Sequence, residues 1–169
     1  IRVVFHMQIA IMPVTPLQQN CTLIWCEDTM DGVFVDPGGN VEGLLKLAQD
    51  KNVNIIKILL THGHIDHVGG VVEMVERLNV PIEGPHKDDK FLLDTVNVHA
   101  AKYDMGPGPR PFTPDRWLQD GDNVSFGKIE FIVRHCPGHS PGHIIFFSEV
   151  YKFAQVGDVI FQGSIGRTD

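Results

Sequence analysis

A chain of 169 residues, 43% of them hydrophobic and 21% charged, is long enough to bury a sizeable core in one domain and has the mixed composition of a soluble globular protein. Its formal net charge of −7, with acids and bases interspersed, leaves no basic stripe for a phosphate backbone, which argues against nucleic acid as a partner. Three cysteines with no CxxC pair argue against a disulfide framework and for a reducing, cytoplasmic setting; no window approaches the roughly 18–20 apolar residues of a membrane span, and no signal-peptide cleavage pattern is present.

The chain starts at Ile1, but a coherent strand pattern begins only at Met7, so residues 1–6 are expected to be an upstream extension of a domain running from 7 to 169. Gln8–Met12, Cys21–Cys26 and Gly32–Val35 read as short strands, the last two joined across a turn containing Asp31-Gly32. Asp36-Pro37-Gly38-Gly39 closes this meander. Asn40 is a good N-cap for a helix through Asp50, in which Val41, Leu44, Leu45 and Ala48 form one apolar stripe. The nearly continuous apolar run Ile55–Leu60 suits a strand covered on both faces. A helix is expected from Val68 to Leu78, a short strand at Val80–Glu83 and a helix around Lys87–Val96, followed by a proline- and glycine-rich loop, Met105–Pro114, of the kind that shapes pockets. Ile129, Phe131 and Val133 alternate along another strand, and Ile144–Phe147 and Tyr151–Gln155 are the last strands before Gly157-Asp158. Strands, then strand–helix alternation, then strands predict two sheets sandwiched between helices. The final Gly166-Arg167-Thr168-Asp169 is polar and turn-like, without a closing element, so the chain is expected to be cut at this end.

The most informative segment is Thr61-His62-Gly63-His64-Ile65-Asp66-His67, directly after the apolar run. Alternate side chains of an extended segment point the same way, so His62 and His64 can grip one ion together, while Asp66 and His67 turn with the next helix toward a second. Structural zinc sites usually use thiolates; imidazole and carboxylate ligands without cysteine point to a catalytic site for zinc, iron or manganese. In the loop Cys136–Gly142, two prolines and two glycines fix the backbone around His139, a third ligand for the first ion. His135 and His143 flank it and read as hydrogen-bonded strand-end histidines. Asp158, after an apolar strand and a glycine, is placed to bridge two ions by its two oxygens.

THGHIDH, PGHSPGH and GDVIF followed by GSIGRTD resemble the metallo-β-lactamase superfamily and, within it, the short bacterial hydroxyacylglutathione hydrolases of the glyoxalase II-like group. The resemblance runs from about Met7 to Asp169 and includes PVTPLQQNCTLIWC, VDPGG, LLTHGHIDHVGG and TPDRWLQDGD. It implies an αββα sandwich, incomplete at the C-terminal end, with His62, His64 and His139 on one divalent ion, Asp66 and His67 on a second, and Asp158 bridging. Zinc is the first choice of metal, with iron or manganese as alternatives. The family adds a histidine to the second ion from a Gly-His-Gly motif about forty residues past the bridging aspartate, which no position here matches. Arg167 can be carried over as a binder of the glycine carboxylate of glutathione. The implied reaction is hydrolysis of a small-molecule glutathione thioester, S-D-lactoylglutathione to glutathione and D-lactate, by hydroxide formed on the ions and oriented by Asp66. Two rival readings remain: a persulfide dioxygenase with a single iron, and an inactive metal-binding fragment. A β-lactamase is disfavoured, since no export signal is seen and an aspartate stands where a cysteine would follow the glycine of the GD position. Acyl preference and oligomeric state are not written in these motifs.

Overall fold

In the strand β2 (Gln19–Cys26), Leu23 and Trp25 enter one apolar layer and Ile24 and Cys26 enter another, because successive side chains of a strand point to opposite faces. The same division runs through β3 (Asp31–Val35), with Phe34 on one side and Val33 and Val35 on the other, and through the segment of β4 (Asn54–Leu59), where Ile58 and Leu60 oppose Leu59. A sheet apolar on both faces must be covered twice. The computed structural model, which describes residues 6–168, shows how. All but His6 of the expected upstream extension lies outside the described residues, as does Asp169.

The first sheet has five strands in the order β1 (Met7–Val14), β2, β3, β4 and β5 (Ile82–Glu83). β1, β2 and β3 are antiparallel neighbours, while β3, β4 and β5 run parallel. Parallel neighbours need crossovers, supplied by α1 (Val41–Asp50) and by the pair α2 (Ile65–Val68) and α3 (Val71–Leu78). Val41, Leu44 and Ala48 of α1 and Val71 and Met74 of α3 pack on one face of this sheet, joined by Val96 and Ala100 of α5 (Val96–Lys102). The other face packs on a four-stranded antiparallel sheet of β6 (Asn123–Phe126), β7 (Ile129–His135), β8 (Ile144–Ser148) and β9 (Phe153–Gln155), through Val124, Phe126, Phe131, Val133, Ile144 and Phe146. The mixed α/β architecture with two facing sheets is that of the αββα sandwich.

Several boundaries differ from the sequence reading. The turn between β2 and β3 is residues 27–30, with Met30 in the left-handed region, and Asp31-Gly32 belongs to β3. Asn40 precedes α1 in the left-handed conformation and makes no side-chain cap. The helix expected from Val68 to Leu78 is two helices broken at Gly69-Gly70, where the chain presses on the Pro37-Gly38 backbone and the Gly70 amide donates to the Pro37 carbonyl (3.0 Å). The helix expected over Lys87–Val96 is a 3-10 turn, Lys87–Asp89, then α4 (Lys90–Asp94) and α5, which extends to Lys102. The segment 160–165 forms a short hairpin of β10 (Ile160–Phe161) and β11 (Ser164–Ile165). Cys21, Cys26 and Cys136 are free thiols, and among the described residues no helix is long and apolar enough to cross a membrane.

Candidate metal centre

Ligand-binding residues of open parallel sheets collect beyond the carboxyl ends of the strands, and here three such ends converge. Asp36 follows β3, Thr61–His67 follows β4 and His86–Asp89 follows β5. The second sheet contributes from the same end: Cys136–His143 joins β7 to β8, and Asp158 follows β9. The Ile144 amide donates to the Thr61 carbonyl (2.8 Å), stitching the two sheets together beside the site.

His62, His64 and His139 converge, with His64 Nδ1 lying 3.0 Å from His62 Nε2 and 2.9 Å from His139 Nε2. Hydrogen-bond roles at the far side of each ring decide what these nitrogens carry. Thr61 donates its hydroxyl proton to Asp36 Oδ2 (2.6 Å), so its oxygen accepts from His62 Nδ1 (3.0 Å), which leaves a lone pair on His62 Nε2. His139 Nδ1 donates to the Arg167 carbonyl (3.0 Å), which leaves a lone pair on His139 Nε2. His64 Nδ1 therefore faces two lone pairs and has at most one proton to share. A cation among the three rings removes that conflict, and donors roughly 2.0–2.1 Å from a tetrahedral ion lie about 3.3 Å apart, close to the separations present. Burial and the neighbouring rings hold His62 well below the ordinary histidine range, and burial and His139 bring His64 down to about 4. Both rings are neutral, as ligation requires.

A second cluster adjoins the first. His67 is buried, its Nδ1 2.9 Å from Asp36 Oδ2, and its Nε2 lies 3.2 Å from Asp158 Oδ1 and 3.6 Å from Asp66 Oδ2, near enough for ion pairing yet aligned with neither for a hydrogen bond. Burial alone would lower its pKa, but Asp158, Asp36 and Asp66 outweigh burial and push it up to about 10. Three carboxylates around one buried ring thus call for positive charge. Asp158 turns its other oxygen, Oδ2, to His139 Nε2 (3.3 Å), so one carboxylate faces both clusters, and the close approach and charge of His67 lower its pKa against the effect of burial. The residues present fit a pair of divalent ions. Asp36 spends both oxygens on Thr61 and His67, and so orients those two side chains.

The structure brings His62, His64, Asp66, His67, His139 and Asp158 together. Arg167 lines the same cleft, its carbonyl oriented on His139 and its side chain exposed. His143 stacks on His62 (ring centroids 4.5 Å apart) and its Nε2 accepts from the Asp158 amide (3.1 Å), which fixes the aspartate's backbone. Gly157, at φ 51°, is pressed against this arrangement, since a Cβ there would lie 2.7 Å from Thr61 Oγ1 and 2.8 Å from the His143 ring. His86 and His135 lie elsewhere, stacked on one another.

Sequence reasoning passed over Asp89. It is fully buried and accepts from the Gly63 amide (2.8 Å), the Ser140 hydroxyl (2.7 Å) and the Gly142 amide (2.6 Å). These donors flank His62, His64 and His139, so one carboxylate locks both histidine loops in register. Burial raises its pKa, against the three hydrogen bonds. The only local signal was an acidic residue in KDDK, which reads as surface.

Two clefts open on the clusters and share Leu17, Asp66, Asp158 and Phe161. The first, about 630 Å³, is lined by His64 and His139, by apolar Leu92 and Val96, and by the cations Lys102 and Arg167.

Comparison with known proteins gives this geometry a family. Residues 14–169 match the metallo-beta-lactamase superfamily. The chain is 43% identical over 164 residues to the hydroxyacylglutathione hydrolase GloC of Haemophilus influenzae, covering 96% of this chain and 76% of that protein. Among solved structures, the BLEG-1 B3 metallo-beta-lactamase superposes with a TM-score of 0.85 at 31% identity, covering 96% of this chain and 77% of that one. A di-iron-bound form of TTHA1623 superposes with a TM-score of 0.82 at 37% identity, covering 94% and 76%. The chain belongs to the metallo-beta-lactamase superfamily.

Proposed function

We propose that this chain is a metal-dependent hydrolase of glutathione thioesters, with S-D-lactoylglutathione as the first substrate to test and the cytoplasm, where glutathione is abundant as the thiol, as its setting. The observation that carries the reading is Asp158, one oxygen toward His67 and the other toward His139, between two clusters that each ask for a cation. His62, His64 and His139 would hold one ion, Asp66 and His67 the other, and Asp158 both. Bound there, divalent ions would supply Lewis acidity and lower the pKa of a water from 15.7 toward about 7. Zinc suits these ligands, and iron equally, as the di-iron form of a 37% identical neighbour supports.

The chain's own residues do the rest. Asp66, which lines both clefts, orients hydroxide as its oxygen bonds to the thioester carbon, and the C–S bond breaks to release a thiolate stable enough to leave without a dedicated acid. The Arg167 carbonyl and Asp89 hold His139 in place from two sides. Lys102 and Arg167 attract the carboxylates of glutathione, while Leu92 and Val96 offer apolar wall to the rest of the ligand.

The decisive assay is thiol release from S-D-lactoylglutathione by the metal-loaded chain, run beside a chromogenic β-lactam and beside oxygen uptake with glutathione persulfide. The β-lactam is included because a neighbour with TM-score 0.85 is a β-lactamase. Thioester turnover well above the other two is expected. A chain with both ions bound that leaves the thioester intact would sink this reading.

A further inference from the structure

Behind the loop that carries His139, two imidazoles from different elements stack on each other: His86, after β5, and His135, the last residue of β7, with centroids 4.1 Å apart and planes within 19°. With Asp88 they form a group in which one ligand atom from each residue lies within 4.8 Å of the other two. None of the three lines either cleft of the His62 clusters.

The hydrogen bonding around this group leaves it short of a cation. His135 Nε2 donates to the Pro141 carbonyl (2.9 Å), so the neutral ring keeps a lone pair on Nδ1. That is the arrangement usual for metal-ligating histidines, whose second nitrogen donates to a carbonyl or carboxylate. His86 Nδ1 accepts from the Asp88 amide (3.3 Å) and therefore has no proton to give Asp88 Oδ2, which stands 3.3 Å from the same nitrogen. An ion taken by Nδ1 and the carboxylate oxygen replaces that amide hydrogen bond, which at 3.3 Å is a long one, and turns the stacked rings so that both aim at it. Burial and the neighbouring His135 ring also keep His86 below the ordinary histidine range, so the ring remains a neutral donor.

We propose that His86, Asp88 and His135 form a separate, weaker site for a borderline divalent transition-metal ion such as nickel, copper or zinc. Two imidazole nitrogens select such ions over magnesium and calcium, which prefer all-oxygen shells. Three protein ligands leave the remaining positions to water, and Asp88 is exposed, so the ion exchanges freely. Occupation has a structural consequence. The His86 amide donates to the Gly142 carbonyl (3.1 Å) and His135 holds the Pro141 carbonyl, so an ion joining the two rings ties down the loop that positions His139 from behind.

The test is nickel binding to the whole chain after it has been loaded with zinc and freed of loose ions by gel filtration. One additional nickel per chain is expected, weakened at least about tenfold by His86→Ala and by His135→Ala and less by Asp88→Asn, with the filtration-resistant ions retained in all three. A second readout needs no variant: in the native chain, paramagnetic broadening by nickel should appear first at the amides of 86–89 and 135–136. The proposal fails if those amides stay sharp up to about 1 mM nickel, or if the extra ion survives in both histidine variants. It also fails if His62→Ala, and not His86→Ala, removes the extra ion, an outcome that would leave the thioesterase reading untouched.

Discussion

His62 and His139 each present a lone pair because the opposite nitrogen donates a hydrogen bond that fixes the tautomer, to the Thr61 hydroxyl in one case and to the Arg167 carbonyl in the other. We therefore expect His62→Ala and His139→Ala each to lower metal affinity at least about tenfold and to abolish nearly all thioester turnover, measured by metal analysis after dialysis and by thiol release. His143→Ala should leave metal stoichiometry unchanged, since that ring spends its Nε2 on the Asp158 amide. Asp158→Ala should weaken the ion at His67 more than the ion at the three imidazoles, because the latter keeps His62, His64 and His139; equal loss of both with the fold intact would argue against a bridge. Asp89→Ala leaves three buried donors without an acceptor, at about 1–3 kcal/mol each before water enters. Its denaturation midpoint should fall substantially, and metal affinity should fall with it even though no proposed ligand has been touched. A stable Asp89→Ala chain with undiminished metal affinity would show that the two histidine loops hold themselves.

At the scale of elements, the site depends on a close approach between the loop after β3 and the short helix α2. A Cβ on Gly38 would collide with the carbonyl of Asp66, and Gly69 and Gly70 meet the backbone of the same Pro37-Gly38 segment. That contact is why one predicted helix became two. The break turns α2 so that Asp66 and His67 reach the second cluster while α3 lies along the sheet. Gly38→Ala is expected to cost about 1–3 kcal/mol through overpacking, and the displaced Asp66 should weaken the second ion more than the first. Urea denaturation and metal titration of the variant check both parts.

For the whole molecule, the buried histidines make the metal-free protein sensitive to pH. His64 and His143 are held down to about 4 against an ordinary value near 6.5. Groups lowered in this way contribute stability that is fully present above about pH 6.5 and lost as pH falls toward 4, since the unfolded chain binds protons first. His67, raised to about 10, acts oppositely: its contribution is complete below about pH 6.5 and lost as pH rises through 10. The metal-free chain should therefore lose stability on both sides of the neutral to slightly acid range, seen as lower urea midpoints at pH 4.5 and at pH 10. Bound ions compete with these protons, so metal should flatten the profile. A metal-free midpoint that stays level from pH 4.5 to pH 7 would contradict the assignment of neutral rings to His64 and His143.

Much of this protein is legible without its structure, because the physics concerned is local. Alternation in β7 and the apolar run of β4 set which residues enter the two core layers, and the six residues from His62 to His67 carry four candidate ligands within reach of one strand end. Residues so near in sequence must be near in space. Tertiary structure decided the rest. Asp36 meets Thr61 across 25 positions and His67 across 31, and Asp89 meets Gly63 across 26 and Ser140 across 51; no spacing rule links such pairs. The break at Gly69-Gly70 was equally hidden, because its cause is the backbone of Pro37-Gly38 lying against it. Ligands come as short motifs because chelation needs neighbours, whereas the groups that orient them arrive from whichever strand ends the sheet topology gathers at one edge.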